Sequence, residues 1–311
     1  MGYSGSCQLF VATKGHVFEK LIGVIPVSET IFSFYNIIAI ILCVVTIPIL
    51  VGLMRPKKGE AVGFSNEIMK QIDSEISNAR QTKTGGKQEV AEGSISELLA
   101  PSYAEKIERM RLFNICIGGL LLCYLIWHFA TKGLDLDLNI VNWSFLAFGL
   151  LLSDSPIHYV RLVADAGRNV GQIILQYPLY AGLMGLMIKT GLAKVLAGAF
   201  TAFATKGTLA FWTFISAGFL NMFIPSGGGQ WSVQGAICID AATALDVPYH
   251  AIVSAVAYGD QWTNMIQPFW TIPLLAIAGL KMRDMMGYTF ITLIWTGIIF
   301  GGTLLFLVPG I

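Results

Sequence analysis

Apolar positions along this chain gather into runs long enough to cross a bilayer. A spanning helix needs ~20 apolar residues. Three runs meet that length: Ile31–Leu53, Leu112–Thr131 and Met286–Val308. Val170–Ile188 is a fourth, interrupted by Pro178. Ile140–Ser153 is short, reaching only ~21 Å at ~1.5 Å per residue.

The texture then changes. Gly207–Ile224 is apolar and stops at Pro225-Ser226-Gly227-Gly228-Gly229-Gln230, after which Trp231–Leu245 is apolar again. Successive glycines cost ~1 kcal/mol each against Ala inside a helix. The tip therefore reads as a turn between two helices, and no charged loop separates them. Irregular backbone at membrane depth is tolerated only where protein or a wet cavity surrounds it. A re-entrant hairpin over 207–246 is the natural reading. Beyond it, Tyr249–Gly259 and Phe269–Met282 are two half-length apolar segments. Between them lie Asp260, Gln261, Trp262, Asn264, Gln267 and the helix-breaking Pro268. That pattern predicts one spanning helix over 249–282, broken in its middle.

Composition sharpens the class. Of 311 residues 55% are apolar and 13% charged, against about 25% charged in an average soluble chain. Too few charges remain to cover a soluble surface. A soluble enzyme, a disordered chain and a nucleic-acid binder are poor readings, and a net charge of +1 gives no field for polyanions. The five cysteines form no CxxC pair, so no zinc site or disulfide framework is indicated. An integral membrane protein in the lipid bilayer is the class.

The charges are unevenly placed. Residues 54–111 hold 10 of the 20 Lys/Arg and 9 of the 19 Asp/Glu, which predicts a solvated cytoplasmic linker. Arg55, Lys57 and Lys58 at its start and Lys106, Arg109 and Arg111 at its end place both ends inside. Asp135 and Asp137 then fall outside, and 155–168 returns as an amphipathic arm along the inner surface. The hairpin enters and leaves from outside. The broken helix ends inside at Lys281 and Arg283, and the last helix, 286–308, ends outside.

Paired interrupted helices near the bilayer midplane point to a secondary-transporter site. A helix N-terminus attracts anions, and exposed carbonyls hold cations. Ser226, Gly227, Gly228, Gly229 and Gln230 could form an anion cradle, with Trp231 as a wall; the plainer alternative is a tight turn and a packing tryptophan. Asp260 is an intramembrane carboxylate, a functional candidate by default. It could take a proton or help bind Na⁺; the alternative is a structural carboxylate held by the tip. Gln261, Asn264, Gln267 and, more weakly, Asn221 are ion-coupling candidates or interhelical hydrogen-bonding groups. The four histidines read as interface residues, and no further cofactor or metal is expected.

With these residues on the page, the chain resembles the bacterial short-chain fatty acid transporters, acetoacetate/butyrate-type permeases of the ion transporter superfamily. The resemblance rests on Pro225–Trp231, on Ala257–Trp262 and on Asn264–Trp270, and runs nearly the whole length. It implies an all-α inverted-repeat transporter in the inner (cytoplasmic) membrane, multi-pass, in which each repeat carries a re-entrant hairpin and a broken helix. It implies uptake of small monocarboxylates. Gly2-Tyr3-Ser4-Gly5-Ser6 resembles the break of the first repeat's broken helix, so 1–53 is the end of that repeat, with a half-helix at 7–14 and a transmembrane helix at 30–53. The second repeat is 112–311. The first repeat is incomplete here, because members carry a further stretch before this point.

The expected function is secondary active uptake of butyrate, acetoacetate or a related acid with H⁺ or Na⁺. Ser4, Gly5 and Ser6 would face Ser226–Gln230 across the site, Trp231 and Trp262 would enclose the alkyl tail, and Asp260, Asn264 and Gln267 would serve the coupling ion. The expected protein partner is a second copy, in a homodimer, or an N-terminal half. The alternative function is a non-transporting half of a split transporter that needs that separate N-terminal partner. An intramembrane hydrolase with Ser226 as nucleophile lacks a nearby general base.

Overall fold

The computed structural model describes residues 6–55, 110–267, 275 and 280–308, with 70, 74, 77 and 108 as isolated positions; the side chains of 168, 169, 172 and 173 are excepted. The readings placed on Ser4, Gly5, Pro268, most of the 54–111 linker and most of Phe269–Met282 lie outside the described residues.

All regular structure among the described residues is helical: α1 Ser6–Ala12, α2 Glu19–Ile22, α3 Phe34–Leu53, α4 Arg111–Lys132, α5 Leu138–Leu152, α6 Pro156–Lys189, α7 Leu192–Thr201, α8 Leu209–Asn221, α9 Gly227–Leu245, α10 Tyr249–Thr263 and α11 Met282–Phe306. Helices α3, α4 and α11 are long and apolar enough to cross a membrane. Their outward side chains, such as Ile41, Val44, Leu120, Ile126 and Ile298, are exposed apolar surface of the kind lipid covers.

Local sequence sets the helix ends. Asp137 accepts from Ile140 N at 2.8 Å and starts α5. Ser155 caps α6, with Pro156 in its first turn where no N–H is needed. The expected amphipathic arm is not a separate element, because α6 runs unbroken from Pro156 to Lys189. Nor does Pro178 interrupt it. The break comes later, at Gly191, whose φ of 71° is a left-handed conformation that suits glycine. There the Ile174–Lys189 segment and α7 meet at 68°. At ~1.5 Å per residue the two arms reach ~39 Å together, enough for one bent span.

Helices α8 and α9 form an antiparallel pair. At their open end Lys206 Nζ lies 2.8 Å from Asp246 Oδ2, and holds that carboxyl below its usual range. Near the tip Gln230 Nε2 donates to Ala217 O at 2.7 Å. The thirteen residues of α8 carry the chain ~20 Å from the open end, short of a ~30 Å hydrocarbon core.

Helix α10 lies at the centre. Residues 251–261 are all buried, which fits a helix surrounded on every side. It runs parallel to α8 at close range. The approach depends on two glycines: a Cβ on Gly259 would lie 2.5 Å from Phe214 O, and one on Gly218 would lie 2.7 Å from the Trp262 ring. On another side Tyr35 Oη and Ser254 Oγ lie 2.9 Å apart, and Tyr258 Oη donates to Asn36 Oδ1 at 2.8 Å, fixing the start of α3. Further along, Trp295 Nε1 of α11 donates to Thr46 Oγ1 of α3 at 2.8 Å.

Candidate functional site

Three elements converge at the hairpin tip. Ser226 has extended backbone (φ −154°, ψ 108°) and caps α9, with its hydroxyl facing Gly229 N at 3.4 Å. Gln230 N closes the first turn onto Ser226 O at 2.6 Å. The amides of Gly227 and Gly228 precede that bond, so helix geometry gives them no partner within α9. Ser6, the first residue of α1, sits directly against this turn. A Cβ added to Gly227 would overlap Ser6 Oγ and lie 3.2 Å from both Cys7 N and Asp260 Oδ2. Glycine at 227 is therefore required by close approach, and the N-termini of α1 and α9 meet beside one carboxylate.

Asp260 is 2% exposed. Its Oδ1 is buried and finds no hydrogen-bond partner among the described residues. An ionisable group placed so in a membrane protein calls for a proton or a cation. Asn221 lies beside it. Its Nδ2 donates to Asp260 O (2.8 Å), Asn264 Oδ1 (2.8 Å) and Thr263 Oγ1 (3.0 Å), with two hydrogens shared over three acceptors. Thr263 Oγ1 in turn donates to Gly218 O at 2.8 Å. This ties the last turn of α10 to the last turn of α8. Asn221 Oδ1 and Gln230 Oε1 are buried oxygens with no donor among the described residues. Oxygens of this kind suit a hard cation such as Na⁺. No group of three or more His, Cys, Asp or Glu among the described residues could hold a metal ion.

Replacing Asn221 by Ala removes the donor from Asp260 O and Asn264 Oδ1. Leaving buried acceptors unpaired costs about 1–3 kcal/mol. The expected result is a lower melting temperature in detergent; an unchanged melting curve would show that the staple contributes nothing.

The other candidates are placed differently. Trp231 is fully buried, edge-on to Phe18 (5.9 Å, 89°) and against Gly235. Its Nε1 has no partner among the described residues. Trp262 is wedged between Gly218 of α8 and Gly297 of α11, tilted on Phe214 (4.8 Å, 41°), with Nε1 donating to Leu293 O at 2.7 Å. These are helix-packing contacts, and the two tryptophans occupy separate pockets. Gln261 lines a cavity of about 370 Å³ between α3 and α11, with Met265 and Thr292. Gln267 is fully buried just past the end of α10.

Lys194 had no place among the candidates from the sequence. It lines a cavity of about 410 Å³ on the side of the tip where Gly229 and Ser232 lie. The signal that could have found it is Gly191, a glycine between two apolar stretches that permits the bend.

Apolar helices of spanning length, together with a buried polar cluster at a glycine tip, define a helical membrane protein. The chain belongs to the short chain fatty acid transporter family, whose model matches residues 1–307. It is 37% identical over 300 residues to a protein of Escherichia coli (strain K12) named "Putative short-chain fatty acid transporter", covering 96% of this chain and 64% of that protein. A protein of the same name from Haemophilus influenzae (strain ATCC 51907 / DSM 11121 / KW20 / Rd) is 37% identical over 306 residues, with the same 96% and 64% coverage. The chain thus spans less than two thirds of the length of these relatives. No solved structure matches it. A transporter family replaces the hydrolase alternative for Ser226.

Proposed function

We propose that this chain takes up short-chain monocarboxylates, of the butyrate or acetoacetate kind, by secondary active transport coupled to H⁺ or Na⁺ in the bacterial inner membrane. The observation that carries the reading is the meeting of Ser6, Gly227 and Asp260 at the ends of two helices. Helix N-termini carry partial positive charge and free N–H groups, so an anion is favoured there. The amides of Gly227–Gly229, with Ser226 and Ser6, take the solute carboxylate. Asp260 takes the coupling ion, with Asn221, Asn264, Gln261 and Gln267 tuning it. Trp231, packed on Phe18 and Gly235, and Trp262, between α8 and α11, hold the helices around the site at the right spacing. In this reading α8 and α9 are a re-entrant hairpin, since α8 is too short to cross and the Lys206–Asp246 pair puts both open ends on one side.

The test is uptake of labelled butyrate and acetoacetate into vesicles carrying the chain, with Na⁺ and pH varied separately. Accumulation driven by one of the two gradients is expected; absence of gradient-driven accumulation would contradict the reading. Because the relatives are longer, a parallel arm co-produces the remaining segment of a relative. Uptake only in that arm would favour a half that acts with an N-terminal partner.

A further inference from the structure

The cavity beside the tip has the composition of a site for a small amphipathic acid. One wall is apolar, formed by Met184 and Met187 of α6 and Val233 of α9. The other carries Lys194 at the start of α7 and Gly229 in the first turn of α9. Its volume of about 410 Å³ falls in the ~300–1,000 Å³ range of small-molecule sites. Lys194 is the ionisable residue among those that line it, and among the described residues no ion pair engages it. Ser232 also lines the cavity, but its hydroxyl donates to Gly228 O at 2.9 Å and so offers an anion no hydrogen.

The place of Lys194 in the fold makes this cation unusual. Helix α7 ends at Thr201 and connects through 202–208 to the start of α8. That start lies at the open end of the hairpin, beside the Lys206–Asp246 pair. Helix α7 therefore runs away from the tip, and its first turn, with Lys194, lies at tip level. A buried cluster of Met187, Ala193, Ala197, Leu220 and Ile224 packs the α6–α7 bend around the tip. Lys194 is exposed at the mouth of the cavity, and in a bilayer an ammonium at tip level faces a wet cavity or a partner.

The geometry points to Lys194 as the counter-ion of the solute carboxylate, held between its ammonium and the first-turn amides of α9, with the alkyl tail against Met184, Met187 and Val233. This inference rests on the transporter reading and names where the solute sits. Solute and coupling ion then share one tip: the carboxylate lies on the first-turn amides from Gly227 to Gly229 and reaches Lys194, and the ion is held at Asp260.

The experiment is a thermal-stability titration of the purified chain in detergent, with butyrate and, as an uncharged control with the same tail, 1-butanol. Butyrate is expected to raise the melting temperature of the wild type, and butanol to leave it in place. In Lys194→Met the half-saturating butyrate concentration should rise by about tenfold or more, the loss expected for a charged hydrogen bond, while Lys194→Arg keeps most of the shift. If Lys194→Met does not accumulate, Val233→Trp fills the cavity from α9 and should abolish the shift with Lys194 in place. Equal stabilisation of wild type and either disabling variant overturns the site, as does a wild type that butyrate leaves unstabilised. Binding that depends on Lys194 in a wild type that does not accumulate butyrate would instead overturn the transport reading and leave the site standing.

Discussion

Asp260→Asn is expected to abolish ion-coupled accumulation of butyrate while leaving the protein folded. The substitution keeps the size of the side chain and the Asn221 bond, since that bond goes to the backbone oxygen of residue 260. What it removes is the negative charge of a carboxylate whose Oδ1 is buried and has no hydrogen-bond partner among the described residues. An amide can neither carry a proton through the cycle nor balance a cation. Coupling free energies between sites correspond to about 5–150-fold in affinity, so gradient-driven uptake should fall by about a hundredfold. Residual downhill exchange of butyrate needs no ion, so its survival is compatible with this loss. Full accumulation by the variant, with the wild-type dependence on pH and Na⁺, would remove Asp260 from the ion site.

The largest effect on stability is expected at Gly259. A Cβ there would lie 2.5 Å from Ala217 Cβ and Phe214 O and 2.6 Å from Gly218 N. Two of these three atoms are backbone, so no rotamer change relieves the overlap, and α8 and α10 must separate. Overpacking of cores costs about 1–3 kcal/mol, and a clash with backbone on a helix pair this close belongs at the upper end. Separation would also pull Asn221 from Asp260 O and Asn264. Gly259→Ala should therefore lower the melting temperature and the yield of folded protein together. Gly302, where an added Cβ meets nothing within 4 Å, is the control, and Gly302→Ala should be neutral or slightly stabilising. Equal melting of the two variants would mean that α8 and α10 are not held at this distance.

The parts of the fold that were legible in the sequence are those set by local rules. An apolar run of spanning length is a helix whatever its neighbours, which is why α3, α4 and α11 could be read from residue types alone. A break before α9 was legible too, but its place was not: Gly227–Gly229, expected in the turn, form the first turn of α9, and the non-helical stretch is 222–226. The α6–α7 region was not legible. Pro178 is the stronger breaker by intrinsic preference, yet the helix runs through it, because neighbouring groups in membrane proteins re-satisfy the freed backbone. The bend at Gly191 depends on packing against Leu220 and Ile224, residues about thirty positions away. Trp262 was expected, with Trp231, to enclose the alkyl tail of the solute. Its wedge between Gly218 and Gly297 belongs to three helices at once and leaves no mark in any single one. Ser6 and Gly227 were paired in advance only through the family resemblance, since residues 221 positions apart carry no local sign of contact.

One measurement reaches the centre of the account: labelling of a single cysteine placed at Ser226, after the five natural cysteines have been replaced, with a maleimide that cannot cross the membrane. The tip is expected to react more slowly than a cysteine at Lys206, the open end of the hairpin, and butyrate should slow it further while butanol does not. Reaction at Ser226 as fast as at Lys206, and indifferent to butyrate, would place the glycine turn in bulk water and contradict the account.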